Sequence, residues 1–345
     1  MLELLSERSK NILRAAVSEY ISVGEPVGSR TISKKYNVDL SPASIRNVMA
    51  DLEEMEFLYQ PHTSAGRIPT DKGLRYFVDY IIELRKLTKH EKERIDCRYQ
   101  PLNFEIIDIM KETSSLLSTF SRCAGLVLSP KFDNVIFKHI EFLKLKKNQI
   151  LTIFVSNAGI VHNKIIEIEE ELTQDQLYKF TRYLNELLTD LNLEEVREKI
   201  VNEMKKEKNM YDWMMSRALK LSEEIFRSSI EDVIYIDGTF NVFECPEFCD
   251  VEKMKTIFRA FEEKSILIKL LDQAMEGDGI QIFIGAENQF EEVHECSIVA
   301  SPYTCKNSTV GTLGVIGPIR MNYFDIIPIV EYTAKAVSKL MDAGC

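Results

Sequence analysis

An arginine beside an asparagine on an exposed helical face is suited to reading bases. Residues 41–70, SPASIRNVMADLEEMEFLYQPHTSAGRIPT, arrange Arg46 and Asn47 in that way. An arginine fork can donate two hydrogen bonds to a guanine edge, and an amide can pair its donor and acceptor with adenine. Ser41 is a good N-cap, and Pro42 suits the first helical position. Ile45, Val48, Met49, Leu52 and Met55 then recur at helical spacing and predict one buried stripe. The opposite face carries Ala43, Arg46, Asn47, Ala50 and Glu54, with Ser44 on its border. Arg46, Asn47, Ala43 and Ala50 are the expected base readers, the alanines because they allow close approach. Taken alone, the helix also fits the solvated face of an ordinary amphipathic helix.

The neighbouring elements favour the first reading. Phe57–Gln60 reads as a short strand, PHTSAG as turn chemistry, and Arg67–Pro69 as a returning strand, which together make a wing. Upstream, Ile12, Leu13, Ala16, Val17, Tyr20 and Ile21 mark a first helix. A break at Gly24–Gly28 leads to a second helix, capped by Ser29, with Ile32 and Tyr36 inward. A tight connection through Val38 and Leu40 then gives helix-turn-helix order. The expected phosphate contacts are Ser41, Ser44, Arg30, Lys34, Lys35, His62 and Arg67, with Arg46, Lys72 and Arg75 as further basic candidates. Each cation has a solvated surface charge as its plain alternative, and His62 an idle turn position.

EPVGSRTIS, LSPASIRNVMADLEEMEFL and QPHTSAGRIPTDKGLRYFVDY closely resemble the amino-terminal part of the HrcA family, the heat-inducible transcription repressors of bacteria. PHTSAGRIPT is the most specific of these runs, and GTLGVIGPIRMNYFDIIPIVEYTA resembles the family's carboxy-terminal signature. Two positions depart from the expected pattern: Glu56 stands in place of a glycine, removing the usual left-handed cap of the reading helix, and Leu74 in place of a tyrosine. The resemblance implies a homodimer that binds the inverted-repeat operator CIRCE on double-stranded DNA upstream of chaperone genes. It also implies control by the chaperonin GroEL, and no required cofactor.

Composition narrows the class. At 345 residues with 45% hydrophobic content, the chain is long enough for two or three cores. No run approaches the roughly 18 apolar residues of a membrane span. MLELLSERSK lacks the pattern of a leader, so no membrane association and cytoplasmic residence are expected. The net charge of −11 is uneven: residues 1–90 hold 13 Lys and Arg against 12 Asp and Glu, and the remainder 30 against 42. DNA binding would therefore run through a local patch and weaken steeply with salt.

After Thr70, a good cap, Leu74, Phe77, Val78, Ile81 and Leu84 predict a helix that packs behind the wing. The charge-dense run Arg85–Pro101 follows, as either an exposed helical extension or a flexible hinge. A helix from Asn103 leads into strands near 124–128, 135–145, 150–155 and 160–168. Helices are expected at 174–189, 194–206, 210–228 and 251–261, with a hairpin at 233–243. Strands then resume at 279–285, 296–300 and 309–317 before a final helix.

The expected architecture is thus an α+β multidomain chain: a winged helix-turn-helix at 1–84, a linker at 85–102, a sheet domain at 103–168 and 265–345, and a mainly helical insertion at 169–264. The sequence supports the shift in composition. The resemblance implies that the sheet domain is a GAF-like mixed α/β fold and that the insertion mediates dimerisation.

Cys245 and Cys249 in CPEFC admit a zinc reading with Cys296 or Cys305, weighed against plain free thiols; the spacing is loose, and no metal site is expected. The glycines of GTLGVIG match neither a phosphate loop nor a dinucleotide fingerprint and read as a turn between strands. No local arrangement marks a nucleophile, so neither catalytic residues nor an enzyme are expected. The chain therefore reads as a sequence-specific repressor. A winged-helix regulator gated by a small ligand or metal in the sheet domain is the alternative.

Overall fold

The computed structural model describes residues 5–62, 65–100, 106–130, 137–156, 161–168, 172–188, 191, 195, 199, 233–248, 250–305 and 308–344. The chain forms two compact units. One comprises Met1–Leu128, Ile234–Pro302 and Thr312–Ala336, the other Ser129–Val233, Tyr303–Gly311 and Val337–Cys345. None of the described helices is long and apolar enough to cross a membrane.

The first unit begins with three helices, α1 (Glu7–Val23), α2 (Ser29–Lys35) and α3 (Pro42–Glu54). Ile12, Leu13, Ala16, Val17, Ile32, Ile45, Met49 and Leu52 close into a core with almost no exposure. Removing each large side chain from water contributes about 1.5–3 kcal/mol. Ser6 and Ser41 cap α1 and α3, whereas α2 has Gly28 rather than Ser29 at its cap, so Ser29 is its first residue. Strands β1 (Leu58–Tyr59) and β2 (Ile68–Pro69) form the wing. Thr70 caps α4 (Asp71–Tyr76), which runs into a π turn at Phe77–Ile81 and buries Leu74, Phe77, Val78 and Ile81.

The charge-dense run is a docked helix, neither a free hinge nor a fully exposed extension. α5 (Lys89–Tyr99) carries a capping box between Thr88 and Glu91 and buries Ile95 and Tyr99. The hydroxyls of Tyr99 and Thr113 lie 3.0 Å apart, and Arg98 pairs with Glu112 on α6 (Ile106–Ser121). The two aromatic and aliphatic anchors are spaced by four, which suffices to seat an otherwise polar helix.

Arg85 bonds both oxygens of Glu91 at 2.8 Å and also pairs with Asp325. Together with the Thr88 amide it holds the Glu91 carboxyl down at about 2, below the ordinary 4.5. Because the folded value is depressed, this stabilisation is complete above pH 4.5 and disappears as the pH falls toward 2. Wild type and Glu91→Gln should therefore differ in thermal stability at neutral pH and converge on acidification. A gap that persisted undiminished at the acid end would contradict the assignment.

The same unit contains a five-stranded sheet in the order β7 (Ile234–Asp237), β3 (Ala124–Leu128), β10 (Ser308–Pro318), β9 (Cys296–Cys305), β8 (Gln281–Ile284). β3 lies antiparallel to β10, with Val127 opposite Leu313, and to β7, with Leu126 opposite Ile236. Every β3 residue is buried, as a strand covered on both faces requires. On one face Leu126 and Leu128 join Ile257, Leu267, Leu270 and Leu271 from α9 (Val251–Glu262) and α10 (Lys264–Met275). α11 (Tyr323–Gly344) closes the chain, and its buried Tyr323 donates to Ser297 Oγ at 2.7 Å.

The second unit holds its own three-stranded sheet, β4 (Phe137–Lys146), β5 (Gln149–Ser156) and β6 (Val161–Glu167), covered by α7 (Gln174–Leu188). β4 is an edge strand whose outward amides are satisfied from the helix: Ile140 by Asn185 at 2.8 Å, Phe142 by Thr181 at 3.3 Å and Lys144 by Gln174 at 2.9 Å. A helix that satisfies an edge in this way blocks further strand addition there.

Four sequence expectations change. The strands within 137–167 do not continue the sheet that contains 281–318: among the described residues they pair with one another, and the break falls after Leu128 instead of after residue 168. Residues 233–243 are not a hairpin, because Gly238, at φ 73°, starts helix α8 (Thr239–Phe243) directly after β7. The glycines of GTLGVIG lie within β10 rather than in a turn. Helix α10 extends past residue 264, where no helix was expected. The expected helices at 194–206 and 210–228 fall almost wholly outside the described residues.

Candidate nucleic-acid interface

The reading helix starts firmly. Ser41 Oγ accepts the Ser44 amide at 3.2 Å and lies 3.1 Å from Ser44 Oγ, with Pro42 in the first turn. Val48 completes the buried stripe, while Met55 stays exposed. On the other side Ala43, Arg46 and Asn47 are exposed and Ala50 is half-buried, and these four share one face at spacings of three and four. Arg30 and Lys34 on α2 and Arg46 on α3 are exposed, and none forms an ion pair among the described residues. His62 is exposed at the wing, where its carbonyl accepts the Ala65 amide at 2.9 Å; Thr63 and Ser64 lie outside the described residues.

The remaining cations are engaged inside the protein. Lys35 pairs with Glu19 at 2.5 Å, and the buried Glu19 also accepts from the Tyr36 hydroxyl at 3.3 Å. Arg67 Nε donates to Glu53 at 2.7 Å with its side chain only 14% exposed, which ties the wing to α3. Lys72 donates to the Met55 carbonyl at 2.8 Å. Arg75 is held by Glu287 and Asp79, away from the reading face. Sequence reasoning missed these carboxylate partners. Glu19 and Glu53 sit at the margins of apolar stripes, and that position was the available sign of a structural role.

The wing also gains a third strand-like contact. Val27 and Arg67 exchange both backbone hydrogen bonds, at 2.8 and 2.9 Å, so the loop before α2 supports β2.

At the far end of α3 the left-handed cap is present after all, since Glu56 itself adopts φ 64°. Phe57 N–H donates to the Leu52 carbonyl and Glu56 N–H to that of Glu53, both at 2.9 Å, the pair of hydrogen bonds that closes a helix with a left-handed cap. The tertiary structure imposes a conformation that a side chain disfavours by roughly 1 kcal/mol. Glu56→Gly should therefore raise the stability of the head by about that amount, as read in urea unfolding. A variant less stable than wild type would show that the carboxylate, 3.5 Å from Lys72, matters more than the strain.

Cys245 is half-buried and its Sγ donates to the Asn241 carbonyl at 3.3 Å, while Cys249 lies outside the described residues. Burial pushes the Cys245 and Cys296 thiols up, and that of Cys123 up to about 12.

A family described as "HrcA protein C terminal domain" matches residues 107–327. The chain is 46% identical to the heat-inducible transcription repressor HrcA of Syntrophobacter fumaroxidans and 48% identical to that of Geobacter sulfurreducens, with 98% of each chain covered in both cases. In fold it resembles a crystal structure described as that of a hypothetical protein, with a TM-score of 0.63, 22% identity and full coverage of both chains.

Proposed function

The chain belongs to the HrcA family of heat-inducible transcription repressors, and from that premise we propose that it represses chaperone genes in the cytoplasm. It does so as a homodimer on an inverted-repeat operator of the CIRCE type. Arg46 and Asn47 read base edges, with Ala43 and Ala50 allowing α3 into the major groove. Ser41, Ser44, Arg30, Lys34, His62 and the first amides of α3 meet phosphates. Lys35 and Arg67 hold the head in shape from Glu19 and Glu53. One observation supports this reading most: a capped, well-packed helix leaves an arginine, an amide and Ala43 exposed on one face, with the half-buried Ala50 among them, beside cations with no ion-pair partner among the described residues.

The sheet-bearing first unit is the GAF-like domain together with the head, and residues 129–233 are the inserted dimerisation domain. Membership of the HrcA family is what supports both assignments, and modulation by the chaperonin GroEL with them.

Sedimentation of the protein with an intact inverted repeat and with a single half-site tests the assembly. Two chains per intact operator and much weaker capture by the half-site are expected. One chain per operator, or equal affinity for both duplexes, would overturn the dimeric reading.

A further inference from the structure

The head is fastened to the sheet of its own unit by side chains remote from the reading face. Arg75 Nε on α4 donates to Glu287 Oε1 at 2.8 Å, Nη2 bonds the second Glu287 oxygen and the Ile282 carbonyl, and Nη1 reaches Asp79 at 3.2 Å. In return the Ala286 amide donates to Asp71 Oδ2 at 2.9 Å. Glu287 is itself fixed, because it accepts the Ile284 amide at 2.8 Å at the end of β8. A second fastening lies at the end of α1, where Arg320, paired with Glu247, donates to the Ile21 carbonyl at 3.2 Å. The chain leaving the head turns extended at Ile82, and the next helix, α5, is docked on α6. Residues 82–88 join the head to α5 and are themselves anchored, Arg85 to Glu91 and to Asp325 on α11, and the α4 contacts brace the same junction.

We propose that Glu287, acting through Arg75 and aided by Asp71 on the Ala286 amide, is a positioning residue: it fixes the orientation of the reading head and so the half-site spacing that a dimer accepts. Arg46, Asn47, Ala43 and Ala50 make none of these contacts, so the mount and the reading face are separable. A rigid mount delivers the second head to one separation at high effective concentration; a loosened mount spreads the same head over many. A side chain at position 285 would displace the Asp71 carboxylate. Gly285 has φ 53°, and a Cβ there would lie 2.3 Å from Asp71 Oδ2.

The inference rests on the proposed dimeric binding of an inverted repeat. Its test uses the full chain and fluorescence-labelled duplexes: the inverted repeat, the same repeat with its spacer changed by about five base pairs, half a helical turn, and one half-site. Wild type should lose at least about tenfold in affinity when the spacer changes. Glu287→Ala should shrink that penalty to roughly two- to threefold, Glu287→Gln should fall between, and both should bind the half-site as wild type does. Gly285→Ala, which pushes Asp71 aside from the other direction, should also relax spacing.

A wild-type spacer penalty retained in both Glu287 variants and in Gly285→Ala would overturn the inference. So would half-site affinity falling in step with operator affinity, since that is the mark of a merely destabilised head. Failure of wild type to prefer the repeat over the half-site would instead refute the dimeric reading itself, so the two failures are distinguishable.

Discussion

Replacing Arg46 or Asn47 with alanine is expected to weaken operator binding by about 1–3 kcal/mol each and to change binding to a scrambled duplex much less. Both side chains are exposed on the face opposite Ile45, Val48, Met49 and Leu52, so neither substitution opens a cavity. Alanine has the best helix propensity, and melting should be unchanged or slightly raised. A loss of affinity without a loss of stability would therefore report the contact itself. Arg30→Ala and Lys34→Ala should behave differently, weakening both duplexes alike and lowering the salt slope by about one unit each. Quantitative binding at several salt concentrations separates the two classes. If Arg46→Ala weakened both duplexes equally, Arg46 would be a phosphate contact and not a reader.

The second large effect is expected at Gly66, in the SAGR run of the wing. A Cβ at this position would sit 2.5 Å from the Val27 carbonyl carbon and 2.6 Å from the Pro26 carbonyl. These neighbours are backbone, so no side chain can rotate aside. Gly66→Ala must lift the wing from the loop before α2, at a cost of about 1–3 kcal/mol. The paired bonds between Val27 and Arg67 would break first, and the Arg67–Glu53 tie would be strained with them. Amide hydrogen exchange is the direct check: protection at Val27 and Arg67 should fall in the variant while that of α3 is largely kept. Unchanged protection at both amides would mean that the wing is not seated on this loop.

These two sites show why some of the molecule was legible in the sequence. The α3 stripe and its Ser41–Pro42 start are local patterns, and the helix follows from them almost residue for residue. The wing is similarly local, its two short strands flanking a turn. What was hidden depends on pairing across the chain. β3 and β4 both read as strands, yet among the described residues β3 pairs with β7 and β10 while β4 pairs with β5. Strand propensity carries no record of the partner. One difference was available: β3, AGLVL, has no polar side chain, whereas β4, FKHIEFLKLK, sets charged residues among apolar ones, which suits a sheet with one covered face.

The basic residues gave a related difficulty. Arg30, Lys34 and Arg46 remain without ion-pair partners among the described residues, while Arg67 and Arg75 find carboxylates at Glu53 and Glu287. Charge composition treats all five alike, because an arginine that ties elements together and one that awaits a phosphate differ only in what the fold brings near them. Glu56 shows the reverse case. Its residue type argues against a left-handed cap, but the packing of Phe57 and Leu52 on either side imposes one.

If the exposed face of α3 reads a specific operator, the wild-type protein must distinguish the inverted repeat from a scrambled duplex of equal length and charge, and the ratio of the two affinities is the quantity to measure. At fixed physiological salt, preference for the repeat by at least about a thousandfold is expected, with affinity for both duplexes falling steeply as salt rises. Equal affinity for the two duplexes across the salt series would contradict the account.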